Sequence, residues 1–551
     1  MYADNLSFEH KHFNAMDFGS YGLGASQTLA GNPIMRTNTA INWGTRNLEL
    51  ALETNMNLQQ TGHLAQLGKV ERDELIRLAK LNRINLSLHA PHYCPAGGQG
   101  NKISETARIK AVHENKQVLN FADQIGTSMK QKHVPVVVHS VEQIPGSPDI
   151  KNIMYVANRE NGQIMPIEKE RVSYPVEYFQ KFGLKEGEHF SKTDQKGIFE
   201  LYPEGKLKMI NQEQLQNLKH QRANANYYKK MHEERLIRSG INLQRLESNT
   251  KGIKKEQLKK GREDIVEEID MYLAHKEQEE KSRIQIDDMR KKYERGNELN
   301  ILTPTDIMAK EFSKKSFVEL GIEAYNKPSK PMIVIEQFSP EHALGDPKKT
   351  AELVKDVRKE LANKLVKQKG LSRSKARKEA ENIIGMNLDL GHANLWKRYG
   401  KTDKDILKDI DAVYPLLKYV HITDNFGDYD AHLPVGWGNT PINQAMKKLK
   451  DKGWKGRPML ETFGTPQYGG GSFGFSQSLY GLGSPLVSGG ANWEMAEGTY
   501  FEAGYAFTTG PILPDINFQT YGAGFSGLPY ATGGQIGGGK PGEKFSGTPM
   551  S

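Results

Sequence analysis

Met332–Glu336 (MIVIE), Met386–Asp389 (MNLD), Tyr419–Thr423 (YVHIT) and Pro458–Glu461 (PMLE) succeed one another between positions 332 and 461, with helix-like stretches between them. Each is a short continuous apolar run, the pattern of a strand buried on both faces. Each also carries an acid or a histidine at or near its C-terminal end. Working outward, the same kind of run recurs at Val134–His139 (VPVVVH), Ile84–His89 (INLSLH) and Leu48–Leu52 (LELAL), with a weaker one at Tyr21–Gln27 (YGLGASQ). The spacing predicts helices over Ser104–Ile125, Pro347–Ile384, Lys404–Leu417 and Pro441–Lys452. Short buried strands alternating with helices mean a parallel sheet. Eight such units predict an α/β fold of the (β/α)8, or TIM-barrel, type, whose C-terminal strand ends converge on one mouth.

Composition narrows the function classes. The chain has 551 residues, 37% hydrophobic and 26% charged, with a mean hydropathy of −0.65. No stretch approaches the ~18 consecutive apolar residues that cross a bilayer, so no membrane partner is expected. The opening MYADNLSFEHKHF lacks the basic-then-apolar order of a secretory signal, and a cytoplasmic location is expected. A single cysteine, Cys94, excludes an intrachain disulfide framework and a cysteine-held metal cluster. The 75 Lys and Arg against 66 Asp and Glu leave +9, a modest excess that suits phosphate-bearing partners.

The expected organisation is a first half-barrel over 1–144, an insertion over 145–315 after the fourth strand, a second half-barrel over 316–464, and an extension over 465–551. In the insertion, hairpins are expected at Asn152–Glu168 and Gly197–Ile210, followed by charged helices from Gln212 to Asn300 and a crossover helix at Ser316–Asn326. Near-balanced mixed charge there reads first as solvated helix faces, and second as an arm gripping nucleic acid or a partner. From Gly464 onward the chain holds 22 of the 54 glycines, interleaved with aromatics, and only Lys540 and Lys544 as basic residues. That is no electrostatic tail. It reads as a loop-rich extension folded on the barrel, with one short helix near Asn492–Phe501.

The strand ends carry the chemistry. His89, His139, Glu336, Asp389 with His392, His421 with Asp430 and His432, and Glu461 all belong to strands that end at the same mouth. A lone histidine there is more often a hydrogen-bonded core residue than a ligand. Nine imidazoles and carboxylates together are a ligand set for zinc, with manganese or iron as competitors. At about three protein ligands per ion they suffice for three Zn2+, which would leave a positive cavity fit for a phosphate.

The segments His89-Ala90-Pro91, Val138-His139, Ile335-Glu336, Asp389-Leu390-Gly391-His392, Val420-His421-Ile422-Thr423-Asp424, Asp430-Ala431-His432, Gly436-Trp437-Gly438 and Glu461-Thr462 resemble endonuclease IV, a family of the xylose-isomerase-like barrel superfamily. The resemblance covers the two barrel halves and neither the insertion nor the tail. It implies an AP endonuclease acting in DNA repair: a zinc-dependent hydrolase that cuts the phosphodiester 5′ to an abasic site through a zinc-bound hydroxide. By the same resemblance His89, His139 and Glu336 hold one zinc. Glu336 bridges to a second, held also by Asp389, His421 and Glu461, and His392, Asp430 and His432 hold the third. Glu336 and Glu461 would position the hydroxide. His92 and Tyr93 stand where the family has a Tyr and an apolar residue that wedge the duplex, so substrate contact is expected there in shifted form.

A second reading is a sugar or sugar-phosphate isomerase or epimerase of the same superfamily, using one divalent metal on Glu336, Asp389, His421 and Glu461. Asp430 and His432, and His89 together with His139, have no evident task in such an enzyme. A third reading, a non-enzymatic binding protein, leaves the whole ligand set unexplained. Cys94 reads as a loop thiol without a catalytic partner, and His63 as a rim residue with a mainly structural role.

Overall fold

The computed structural model describes residues 23–28, 33–42, 45–52, 67–193, 197–248, 255–295, 298–462 and 471–482. Among them, eight strands pair in parallel, each with its neighbours in sequence, and the last pairs with the first to close a barrel. They are β1 (Gly24–Thr28), β2 (Asn47–Ala51), β3 (Asn85–His89), β4 (Pro135–His139), β5 (Met332–Glu336), β6 (Ile384–Asp389), β7 (Leu417–Ile422) and β8 (Arg457–Leu460). The (β/α)8 fold expected from the apolar runs is the fold found. The weak first run is shifted along the chain: β1 is Gly24–Thr28, against the expected Tyr21–Gln27.

The ladder sets the height of each side chain. Glu336 pairs with His139 between β5 and β4, and Asp389 with His421 between β6 and β7. Because side chains alternate with period two, the residues two positions earlier point to the same side. Val137, Val334, Tyr419 and Met459 accordingly pack into one buried layer beneath the polar strand ends. Tyr419 satisfies its hydroxyl on Ser87 Oγ of β3 at 2.6 Å. This apolar layer plugs the barrel and fixes the floor of the mouth.

Local chemistry accounts for the helices and for three departures from expectation. The stretch 347–384 is two helices, Pro347–Lys369 and Arg373–Ile383. The first stops at Gly370, whose positive φ of 65° suits a left-handed cap, and Ser372 caps the next. The helix expected to reach Leu417 is Asp403–Val413, opened by a Thr402/Asp405 capping box. Pro415 follows its end, and Leu417 starts β7. The crossover helix begins at Thr305, well before Ser316.

Residues 101–103 and 147–308 form a second compact unit. Its first hairpin, Ile153–Asn158 with Ile164–Glu168, turns at Gly162 (φ 76°), and Leu302–Pro304 adds a third strand. The second expected hairpin is corrected: Phe199–Leu201 pairs with Phe190–Lys192 and Glu170–Val172, while Pro203 opens a long helix, Pro203–Ser248. Proline at a first helical position is favourable, so Glu204-Gly205 continues the helix instead of turning. Phe179, Phe190 and Phe199 stack in the core of this unit. Pro203–Ser248 and Lys255–Tyr293 then run as a helical pair, tied by Lys229–Glu279 and by His232 to Glu268 at 2.6 Å. Of the C-terminal extension, the helix Gly471–Gly481 is described, and its Ser478 Oγ accepts a hydrogen bond from Val435 N at 3.1 Å. Asn492–Phe501 and His63 lie outside the described residues.

The helical pair holds its own buried side chains, Ala225, Ser282 and Ile286, and Asn211 bonds both ways with Leu302 near its base (2.8 and 2.9 Å). Replacing Gln216–Arg290 with a short Gly/Ser bridge should therefore leave cooperative thermal unfolding of the barrel in place, since long insertions add little closure entropy. Loss of the cooperative transition in circular dichroism would place the pair in the barrel's folding unit.

Candidate metal centre

Glu336 ends β5 and is wholly buried, yet neither of its carboxylate oxygens accepts a hydrogen bond. Its Oε2 faces His89 Nε2 at 3.4 Å and His139 Nε2 at 3.7 Å, and its Oε1 faces His421 Nδ1 at 3.3 Å and His392 Nδ1 at 3.7 Å. Asp389 sits at the end of β6, where its Oδ1 caps the turn beginning at Leu390 by accepting from His392 N (2.8 Å) and Thr423 Oγ1 (3.0 Å). Its Oδ2 is left buried and unbonded. The turn is tight because a side chain at Gly391 would meet Thr423 Oγ1 at 1.9 Å, so only glycine lets His392 reach the mouth. Glu461, just past β8, approaches His421 Nδ1 at 2.8 Å.

The histidines share one arrangement, in which a ring nitrogen is held from outside while the other faces the carboxylates. His89 Nδ1 meets Ala90 O at 3.0 Å, His392 Nδ1 meets Gln337 O at 3.0 Å, and His432 Nδ1 meets Glu461 O at 3.1 Å. His139 Nδ1 is held by Glu142, and His421 Nε2 lies 3.3 Å from Glu49. Outer acceptors of this kind fix tautomer and orientation in metal-binding histidines. The freed Nε2 atoms of His392 and His432 both lie 3.0 Å from Asp430 Oδ2.

The donor atoms gather in sets within 4.8 Å: Glu336, Asp389, His421 and Glu461; His392, Asp430 and His432; His89, Glu336 and His421; and His92, His139 and Glu142. These clusters can hold divalent metal. The orphaned oxygens of Glu336, Asp389 and Asp430 give the test of fit. A buried carboxylate without hydrogen bonds costs several kcal/mol, and a coordinated cation removes that cost. One expected set is looser than the others, because His139 leans on Glu142 and groups with His92 while its Nε2 still faces Glu336.

Within the protein's own charges the site is strongly polarised. Burial disfavours charge on His89, but Glu336 beside it prevails and raises its pKa to about 9. Burial likewise opposes charge on His432, and Asp430 overrides it, raising the pKa to about 10. Burial pushes Asp389 up to about 6 against the pull of His392. Glu461 goes the other way despite its burial, held at about 2 by His421. This is a cluster of acids and imidazoles that compensate one another, as ligands do before a cation replaces their protons.

All nine strand-end candidates are thus brought to one place. Of the two wedge candidates, His92 lines the mouth and is held by Glu142 at 3.2 Å, with its ring 5.3 Å from that of His139. Tyr93 does not line it, and its ring lies instead beneath Lys110 Nζ, 5.7 Å from the centroid. Cys94 is buried, accepts from Glu142 N, and burial raises its thiol to about 11, which makes it inert. Three participants were missed by the sequence reading: Glu49, Glu142 and Phe338, whose ring packs 4.6 Å from that of His139 and 5.2 Å from that of His392. Glu49 had a signal, a lone acid inside the apolar run LELAL.

Residues 374–478 match the family model described as "Xylose isomerase-like TIM barrel". No curated protein matches the chain. Among solved structures, a D-tagatose 3-epimerase-like protein is 13% identical, covering 80% of this chain and 90% of its own, at a TM-score of 0.37. A D-psicose 3-epimerase crystallised with D-fructose is 11% identical, covering 89% and 100%, at 0.38.

His392→Ala and His432→Ala should each lower metal content by about one ion per chain and leave the remaining ions in place, because the two residues share a set with Asp430 alone. Elemental analysis of purified protein gives the count. A single ion in the wild type would remove the multinuclear centre.

Proposed function

We propose that this barrel is a multinuclear divalent-metal hydrolase acting on a phosphodiester, with zinc as the expected ion and duplex DNA carrying an abasic site as the expected substrate. One observation carries the reading: His392, Asp430 and His432 form a complete ligand set apart from Glu336, Asp389, His421 and Glu461, with both imidazoles oriented by backbone carbonyls. Chemistry on one metal has no use for the additional set. The order of ligands along the chain, which resembles endonuclease IV, supports the same reading.

Bound divalent ions would supply Lewis acidity and a water of lowered pKa. The chain's own residues do the rest. Glu461 and Glu336 flank His421 from two strands, where they can hold and orient the attacking oxygen. The cavity that Glu461 lines, together with His89, His139, His392, Asp430 and His432, is about 190 Å3, small beside the ~300–1,000 Å3 of sites that engulf a whole ligand. It suits one phosphate and its sugar presented by a longer chain. Phe338 and His92 form its apolar and polar walls, and His92 stands at the exposed rim where a substrate enters.

The second reading, a sugar isomerase or epimerase, is favoured by the description of the matched family and by the set Glu336, Asp389, His421 and Glu461, which alone is a sufficient site for one divalent ion. There the two glutamates would move protons on an open-chain sugar, and the third ligand set would be a structural metal site.

Metal-loaded protein should nick a duplex at an abasic site and leave a 3′-hydroxyl, with binding that weakens as salt rises. Glu461→Gln should retain DNA binding and cut at least ~100-fold more slowly, since a ligand charge and an orienting oxygen are lost together. Fully metallated protein that leaves abasic DNA intact but interconverts a ketose with an aldose or its epimer would establish the second reading.

A further inference from the structure

At the opposite end of the barrel, the N-terminal ends of β4, β5, β7 and β8 surround a cavity of about 420 Å3. Lys132, Lys418, Lys455 and Arg457 line it, with His133 beside them, and no acidic residue does. These four cations come from three separate loops and strand starts, so folding collects charges that are scattered in the chain. Among the described residues none of the four makes an ion pair, whereas Lys330 pairs with Glu379, and Lys448 and Lys452 with Asp411.

Two features make this a built hollow rather than a basic patch. Arg457 has a buried Nη1 without a hydrogen-bond partner, and Arg358, close enough to bear on the charge of Lys418, has a buried Nη2 in the same condition. Burial pulls the pKa of Arg457 downward, and burial with the nearby charge of Arg358 does the same to Lys418 against the weaker pull of Glu381. The walls are shaped for them. Gly385 leaves the space that the Lys418 side chain crosses, since a Cβ there would stand 2.5 Å from Lys418 Cγ. Trp454 is pinned by its Nε1 donating to Leu417 O at 3.2 Å, and with Met332 it gives the hollow an apolar side.

Unpaired cations converging in a concave, partly dry site focus a positive field, and a multiply charged oxyanion offsets it best. We infer that the N-terminal end of the barrel is a second ligand site, for a small phosphate-bearing anion with an apolar or aromatic portion, of the size of a nucleoside phosphate. A polynucleotide calls for cations spread along a track, whereas these are gathered in one hollow beside an indole. The site stands apart from the metal centre and does not depend on which reaction occurs there.

Metal-loaded protein titrated with pyrophosphate at constant ionic strength, followed by calorimetry and by tryptophan emission, tests this. Pyrophosphate also meets the metal centre, so two saturable events are expected, and Trp454→Phe should remove the emission change of only one. Lys132→Ala/Lys455→Ala, which alters two exposed side chains and leaves the core untouched, should weaken that event at least about fivefold while sparing the other and the catalytic activity. Arg457→Ala should abolish it, and His432→Ala should leave it unchanged. Three results would overturn the inference: no second event in the wild type, equal affinity in the lysine variant, or binding of an intact DNA duplex at this face with none of pyrophosphate.

Discussion

A carboxylate with no hydrogen-bond donor, enclosed on every side, is the constraint around which this barrel is arranged. Glu336 divides its two oxygens between the imidazoles of His89 and His139 on one side and those of His392 and His421 on the other. Its burial is tolerable only because positive charge, from proton or metal, is available at each of those contacts. The ladder that levels Glu336 with His139 fixes the height of the whole site. A slip of β5 by one residue would turn Glu336 into the helix layer and bring an isoleucine to the mouth.

Support for that carboxylate reaches outward in two kinds. Ala90, Gln337 and Glu461 hold imidazoles through neutral carbonyls, whereas Glu49 and Glu142 hold theirs through carboxylates. Glu49 is itself fully buried and receives Ser26 Oγ at 2.9 Å. An anionic outer partner makes an imidazole a stronger donor than a neutral one does, so His139 and His421 differ from His392 and His432 in donor strength as well as in position.

Much of this was legible in the chain, and the gaps have physical causes. Buried parallel strands are continuous apolar runs, so MIVIE and VPVVVH announce themselves, and the acids and histidines closing such runs mark the mouth. What periodicity does not convey is the face of a lone polar residue inside a run, which is why Glu49 in LELAL passed unnoticed. Glu142 lies in a loop, and only the fold shows that it meets His139. The hairpin expected over Gly197–Ile210 was placed around Glu204-Gly205, whereas Pro203 just before that pair opens a helix. Tyr93 was assigned by analogy of position, and one residue's shift directed it away from the cavity. The basic hollow was illegible, since Lys132, Lys418 and Arg457 meet only when the barrel closes.

The second compact unit enters the chain between β4 and β5, midway through the eight strands. A peptide bond broken there divides the barrel into two four-stranded half-barrels. The first keeps His89 and His139 and the second keeps Glu336 and every other ligand, so the ion bridging them would be coordinated by both fragments. Reassociation of the halves would thereby be linked to metal concentration, and the scaffold is a natural starting point for a two-piece protein whose fragments a divalent ion would staple and a chelator would part.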